Sequence, residues 1–195
     1  MQRTSTRERL TKETRITATI NLDGSGKADI RTGIGFLDHM LTLFAVHGFF
    51  DLSLDAVGDL DVDAHHTVED VALVLGEAID TALGDRAGIC RYGHAVIPMD
   101  DALAEVTIDL SRRPFLAYQL PTVPASGSVF DAGLAKEFFR ALAFKGGMNL
   151  HIRVPYGENE HHVIEAVFKA LARALDRAVA MDPRIRGIHS SKGAL

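Results

Sequence analysis

Four of the nine histidines in this 195-residue chain stand in two adjacent pairs. His65-His66-Thr67-Val68-Glu69 and His161-His162-Val163-Ile164-Glu165 share the spacing His-His-x-x-Glu, with a constant offset of 96 residues. On a helix, residues four apart share a face, so His65 points with Glu69 and His161 with Glu165. Residues three apart are also neighbours, so His66 and His162 can approach the same glutamates. Adjacent residues diverge by about 100° around the axis, so both members of a pair can hardly serve one ion but can serve two. Imidazole and carboxylate donors suit Mn, Fe, Zn, Co or Ni rather than Ca. A lone His-His pair is usually a surface or helix-start feature, and Asp63 and Asn159, just ahead of the motifs, are cap-forming types. The second copy at an equivalent place argues for two related metal sites, and capping is compatible with ligation.

The duplication runs beyond these motifs. Thr19-Ile20-Asn21-Leu22 matches Thr107-Ile108-Asp109-Leu110 at an offset of 88, and both alternate apolar with polar residues as strands do. Helical patterns, FLDHMLTLFAV and GLAKEFFRALAF, lie upstream of each motif, and longer apolar stretches follow each one. At an offset of 98, His39 in the first pattern corresponds to Glu137 in the second. The candidate ligands are then His39, His65, His66, Glu69, Glu137, His161, His162 and Glu165. Each half reads strand, strand, helix, strand, helix, with halves at roughly 1–92 and 93–195. The expected fold is α+β: a tandem duplication in which each small sheet packs on two helices and the helical faces are buried together. A half of this size alone would leave apolar helix surface exposed.

Composition narrows the function classes. Hydrophobic residues make up 47%, enough for a real core, and the formal net charge is −5, which speaks against a nucleic-acid partner. The charged opening residues lack the apolar stretch of a signal peptide, and no run of about 18 apolar residues suggests a membrane span. The single cysteine, Cys90, cannot form an internal disulfide, which fits a reducing, cytoplasmic setting. Gly33-Ile34-Gly35 lacks the third glycine of a dinucleotide fingerprint, so a nucleotide-binding enzyme is disfavoured. A dinuclear metallohydrolase and a metal-storing shell protein remain as rival readings.

GFLDHM (35–40), HHTVED (65–70), HHVIEAVFKALARAL (161–175) and the terminal SSKG (190–193) together resemble the imidazoleglycerol-phosphate dehydratases. The likeness runs from RLTKET (9–14) to SSKG. It implies a duplicated half-domain fold, a homo-oligomeric shell of 24 subunits, and two manganese sites between subunits. It also implies that the eight residues above are the ligands, although some members carry histidine where this chain has Glu137. The implied reaction removes water from imidazole glycerol phosphate to give imidazole acetol phosphate, a step in histidine biosynthesis. No carbonyl adjoins the departing carbon-bound hydrogen, so the imidazole ring must act as the electron sink. Two divalent metal ions, Mn2+ by resemblance, would favour the imidazolate, which expels the hydroxyl through a diazafulvene-like species.

The same resemblance assigns further residues. Glu13 is the leading candidate for proton transfer and substrate contact; Asp100, near the equivalent place in the second half, is a weaker candidate. Arg91, Arg113, Lys169, Ser190, Ser191 and Lys192 match substrate positions, cations and hydroxyls suited to a phosphate. Lys169 lies one helical turn beyond Glu165 and so faces the same way. His47 is placed beside the pocket. Asp38 and Asp70 are expected to orient neighbouring imidazoles. The terminal GIHSSKGAL reads equally as an ordered loop or a flexible tail.

Overall fold

The strand Thr14–Asn21 alternates strictly: Thr14, Ile16, Ala18 and Ile20 are buried while the residues between them are more exposed. Ala102–Asp109 repeats the pattern with Ala102, Ala104, Val106 and Ile108. One face of each strand thus looks into a core, as period-two patterning requires. The computed structural model describes residues 3–195. The first half contains β1 (Thr4–Leu10), β2 (Thr14–Asn21), β3 (Ala28–Arg31), α1 (Gly35–Gly48), β4 (Asp51–Gly58) and α2 (His65–Leu83). The second contains β5 (Tyr92–Met99), β6 (Ala102–Asp109), β7 (Phe115–Gln119), α3 (Ala132–Lys145), β8 (Asn149–Tyr156) and α4 (Glu160–Val179).

Two four-stranded sheets result, with matching orders β1-β2-β4-β3 and β5-β6-β8-β7. The α+β duplicated half-domain is therefore present, with one strand per half more than the sequence predicts. The additional strands, β3 and β7, are edge strands paired in parallel with β4 and β8. A parallel pair needs a crossover, which α1 and α3 provide. β3 is four residues long and mostly exposed, and β7 shows no in–out alternation, so neither carries the usual sequence signal.

The helices lie between the sheets. α2 packs on β1 and β2, α4 packs on β5 and β6, and the contacts across the halves are α1 with α4 and α2 with α3. α4 is central, with 14 of its 20 residues buried and many of them alanine. Glycines permit two of the closest approaches. A Cβ on Gly76 would lie 2.8 Å from the Leu142 carbonyl oxygen of α3, and one on Gly93 would lie 1.9 Å from the Ala174 carbonyl oxygen of α4.

Arg86, in the loop after α2, is almost fully buried and joins the halves. Its guanidinium donates to the carbonyl oxygens of Gly146 (2.7 Å) and Gly147 (2.9 Å) and to Asp80 (2.5 Å). Burial lowers its pKa, while Asp80 works in the opposite direction. No helix of the described residues is long and apolar enough to cross a membrane.

Candidate metal centre and basic cleft

Both motifs begin at a helix start set by the residue two places before the first histidine. The amide of His65 donates to Asp63 Oδ1 at 2.7 Å, and that of His161 donates to Asn159 Oδ1 at 2.9 Å. These bonds satisfy amides that a helix start leaves without partners. They also fix which way each pair of imidazoles leaves the helix. Within each pair the rings are nearly perpendicular, at 89° and 85°.

The first ring of the second pair meets a donor from the opposite half. His39 of α1 runs alongside α4, and ligand atoms of His39, His161 and Glu165 all lie within 4.8 Å of one another. Glu165 Oε2 is 3.1 Å from His161 Nε2 and 3.7 Å from His39 Nε2, and its other oxygen accepts from Lys169 Nζ at 2.6 Å. Burial alone would raise the pKa of Glu165, but Lys169, with help from His161 and His39, holds it below the usual range. The carboxylate is thus ionised at neutral pH. Phe36 stacks on the back of His161 with ring centroids 4.6 Å apart.

The mirrored cluster is looser. His65 Nε2 lies 3.8 Å from Glu69 Oε2, and both side chains are partly exposed. Glu137 of α3 is brought to the same region by Arg140, whose guanidinium bonds Glu137 at 2.5 and 2.7 Å and Glu69 at 3.3 Å. A cation therefore already bridges the two carboxylates.

The second ring of each pair faces elsewhere. His66 Nδ1 is 3.0 Å from Asp59 Oδ2 and 4.0 Å from Glu13 Oε2. His162 Nδ1 bonds Asp101, and its Nε2 lies 3.5 Å from Asp100 Oδ2. These carboxylates raise the pKa of both imidazoles, Asp59 acting mainly on His66 and Asp101 mainly on His162. The sequence did not single out Asp59 or Asp101. The acidic run before the first motif and the paired aspartates in the β5–β6 turn were the available signals.

Asp38 and Asp70 do not orient imidazoles. Asp38 accepts from the Thr32 amide (2.8 Å) and hydroxyl (2.6 Å), fixing the turn into α1. Asp70 accepts from Thr14 Oγ1 (2.5 Å) and pairs with Arg9 (2.8 Å), tying α2 to the first hairpin. His47, at the end of α1, has its pKa lowered by burial and then by Lys169 and Arg173, so its ring is neutral at pH 7.

A separate open cleft of about 1040 Å³ gathers Arg91, Arg113, Ser190, Ser191 and Lys192, with Arg186 adding charge. The tail is an ordered loop, pinned by a bridge between Ala87 and Ile188 and by Arg91 donating to the His189 carbonyl oxygen at 2.7 Å. Arg91 also grips Asp109 at 2.7 and 3.0 Å. Lys169 is not part of this cleft; it sits on Glu165. The cleft flanks the C-terminal end of α4, where the Arg91 amide bonds the Ala178 carbonyl oxygen. Glu165 lies 13 residues earlier on α4. At 1.5 Å per residue that is about 20 Å.

A model of the imidazoleglycerol-phosphate dehydratase family matches residues 32–175. The chain belongs to this family. It is 60% identical over 195 residues to the imidazoleglycerol-phosphate dehydratase of Desulfosudis oleivorans, covering all of both chains. It is 60% identical over 194 residues to that of Syntrophobacter fumaroxidans, covering 100% of this chain and 98% of the relative. Among solved structures, the Staphylococcus aureus dehydratase superposes with a TM-score of 0.82 at 37% identity, over 92% of this chain and 99% of that one. The Pyrococcus furiosus enzyme, crystallised in complex with (S)-C348, gives 0.84 at 38% identity, over 97% and 100%. Membership of the imidazoleglycerol-phosphate dehydratase family makes the chain an enzyme, a lyase of histidine biosynthesis.

Proposed function

We propose that the chain dehydrates imidazole glycerol phosphate to imidazole acetol phosphate with two divalent metal ions, Mn2+ by family resemblance, at each active site. The observation that carries this is the crossed pairing of the halves. His39 of the first half joins His161 and Glu165 of the second. Glu137 of the second half is drawn by Arg140 toward Glu69 of the first. Such nitrogen and oxygen donors accept manganese among several divalent ions. When bound, the ions supply Lewis acidity at the ring nitrogens of the substrate and favour its imidazolate.

The His39 cluster offers three donors from one chain, short of the six of an octahedral site. His66 and His162 point away from both clusters, which supports their donating to sites completed by neighbouring subunits. The basic cleft supports the same conclusion. It lies about 20 Å along α4 from the His39 cluster, farther than one small phosphorylated imidazole reaches. We therefore assign the cleft of one subunit to a neighbour's metal pair, in a cytoplasmic homo-oligomer that the family resemblance puts at 24 subunits. Arg113, Ser190, Ser191 and Lys192 hold the phosphate, and Arg91 shapes that loop. His47, as a neutral ring, contacts the substrate beside α4, and Lys169 keeps Glu165 ionised. Glu13, at the tip of the first hairpin and half exposed, moves the proton.

The test is a dehydration assay with imidazole glycerol phosphate on protein as purified, after chelation, and after Mn2+ is restored. Activity lost and regained is expected. Full activity in the chelated protein, or metal uptake with no dehydration, would overturn the reading. Deleting residues 190–195 should raise KM at least tenfold with the metal content unchanged.

A further inference from the structure

Both outward-facing imidazoles are held at the same atom. His66 Nδ1 bonds Asp59 at 3.0 Å, and His162 Nδ1 bonds Asp101. An ionised carboxylate only accepts, so Nδ1 must carry the hydrogen and the lone pair of the neutral ring falls on Nε2. A carboxylate behind a histidine, setting which nitrogen faces forward, commonly supports metal binding.

The two carboxylates do not occupy equivalent places. Asp101 lies in the β5–β6 turn, and its counterpart at the hairpin offset of 88 is Glu13. Glu13 does not take the bond; its carboxylate stops 4.0 Å from His66 Nδ1. Asp59 takes it instead, from just beyond β4. A bulge in the β6–β8 pairing sets Leu103 opposite Tyr156 where Arg15 faces Val57, so beyond it the offset is 99 and the counterpart of Asp59 is Glu158. Glu158 does not take the bond; His162 Nδ1 bonds Asp101 instead. Each half therefore has one holding carboxylate, and the two halves draw it from different elements. Asp59 has no other side-chain hydrogen bond, and its second oxygen is buried without a partner. Such a cost points to a functional reason for keeping the residue.

We propose that Asp59 and Asp101 are positioning residues that turn Nε2 of His66 and His162 toward a metal, and that Asp59 has relieved Glu13 of this duty in the first half. The proposal rests on the metal reading above. It explains why one hairpin carboxylate is free to meet substrate while its counterpart is engaged. Asp101 has a second task, accepting from the amides of Glu158 (2.5 Å) and Asn159 (3.0 Å) before α4, so Asp59 gives the cleaner test.

The experiment titrates Mn2+ into chelated, assembled enzyme and follows free Mn2+ by electron paramagnetic resonance, with turnover measured in parallel. Asp59→Ala should weaken one class of site about 10–100-fold, the usual cost of losing an outer carboxylate. Asp59→Ser, too short to reach the ring, should match it should the alanine variant fail to assemble. Asp59→Asn, whose amide oxygen accepts the same bond, should recover most of the affinity. Glu13→Gln should bind Mn2+ within about twofold of wild type while losing turnover. Wild-type affinity in Asp59→Ala or Asp59→Ser overturns the proposal, as does a Glu13→Gln variant that loses metal to the same degree. A wild-type enzyme that takes up no Mn2+ overturns the metal reading itself, a different result.

Discussion

Where the first half places Ser5 on its outer antiparallel strand, the second places Gly93; where α2 has Gly76, α4 has Ala172. The two sheets have the same order, yet the tight contacts fall at different places. In the first half the tight approach is helix to helix, α2 on α3. In the second it is strand to helix, β5 on α4. The clusters differ in the same spirit. Glu165 is nearly buried and locked by Lys169, whereas Glu69 and Glu137 are about one-third exposed and share Arg140. Duplication preserved the frame and the donor types, and the surroundings of each copy diverged.

If the buried cluster is the more organised site, its carboxylate should matter most. Glu165→Gln is expected to lower turnover about a thousandfold, roughly 4 kcal/mol of transition-state stabilisation, and to halve the metal content. It also leaves Lys169, whose side chain is 17% exposed, without its partner, so the melting temperature should fall. Glu69→Gln should cut turnover too, but with little change in melting temperature, because Arg140 keeps Glu137. Equal thermal losses in the two variants would erase the distinction. Elemental analysis and thermal melts of the assembled enzyme decide it.

The packing contrast has its own test. Gly93→Ala puts a methyl carbon 1.9 Å from the Ala174 carbonyl oxygen and 2.8 Å from the Ala178 amide nitrogen, both backbone atoms of α4. The backbone must move, so a loss of about 3 kcal/mol is expected, at the upper end for overpacking. At roughly 2–4 °C per kcal/mol for a domain of this size, the melting temperature drops by about 6–12 °C. Ser5→Ala at the mirrored position should be neutral or slightly stabilising, because the Ser5 hydroxyl is buried without a hydrogen-bond partner.

The contrast also shows what local sequence can reveal. Ile16, Ala18 and Ile20 announce their strand by alternation, and the offset linking His39 to Glu137 exposes both first-helix donors. Both are regularities along the chain. What the chain does not encode locally is which half supplies the third donor, since that depends on α1 lying along α4 and α3 along α2. Asp59 and Asp101 were missed for the same reason, each reaching its imidazole from another element. Asp38 and Asp70 were misread because their partners lie on other segments: Thr32 before α1 for Asp38, and Arg9 and Thr14 of the first hairpin for Asp70. Arg91, Arg113 and the tail were recognised as a phosphate set, but their separation from the His39 cluster follows from the length of α4.

A smaller effect concerns Arg140. Its guanidinium competes for the two carboxylates that the looser cluster would offer a metal. Exposed ion pairs of this kind contribute about 0.2–1 kcal/mol, so Arg140→Met should tighten Mn2+ binding at that class of site by no more than about fivefold. A weakening instead would mean that Arg140 positions Glu137 rather than occupying it.

The smallest expected difference lies at the helix ends. α1 and α3 finish in the same left-handed geometry, with Phe49 at φ 57° and Gly147 at φ 56°. The hydrogen bonds match as well: Phe50 to Ala45 and Met148 to Ala143, each 3.0 Å. A non-glycine residue pays about 1–2 kcal/mol for that backbone. Phe49 offsets part of it, because Arg173 lies over its ring at 5.3 Å from the centroid, a contact of about 0.5–1 kcal/mol. Phe49→Gly should therefore change stability by no more than about 1 kcal/mol, toward the stable side. Gly147→Ala has no such offset, and its Cβ would press on Arg86 Nη2 at 3.1 Å and Arg112 Cα at 3.3 Å. It should cost at least about 1–2 kcal/mol. A large loss in Phe49→Gly would mean that this half-exposed ring is held by more than Arg173, and comparing melts of dissociated and assembled protein would show whether a neighbouring subunit supplies the remainder.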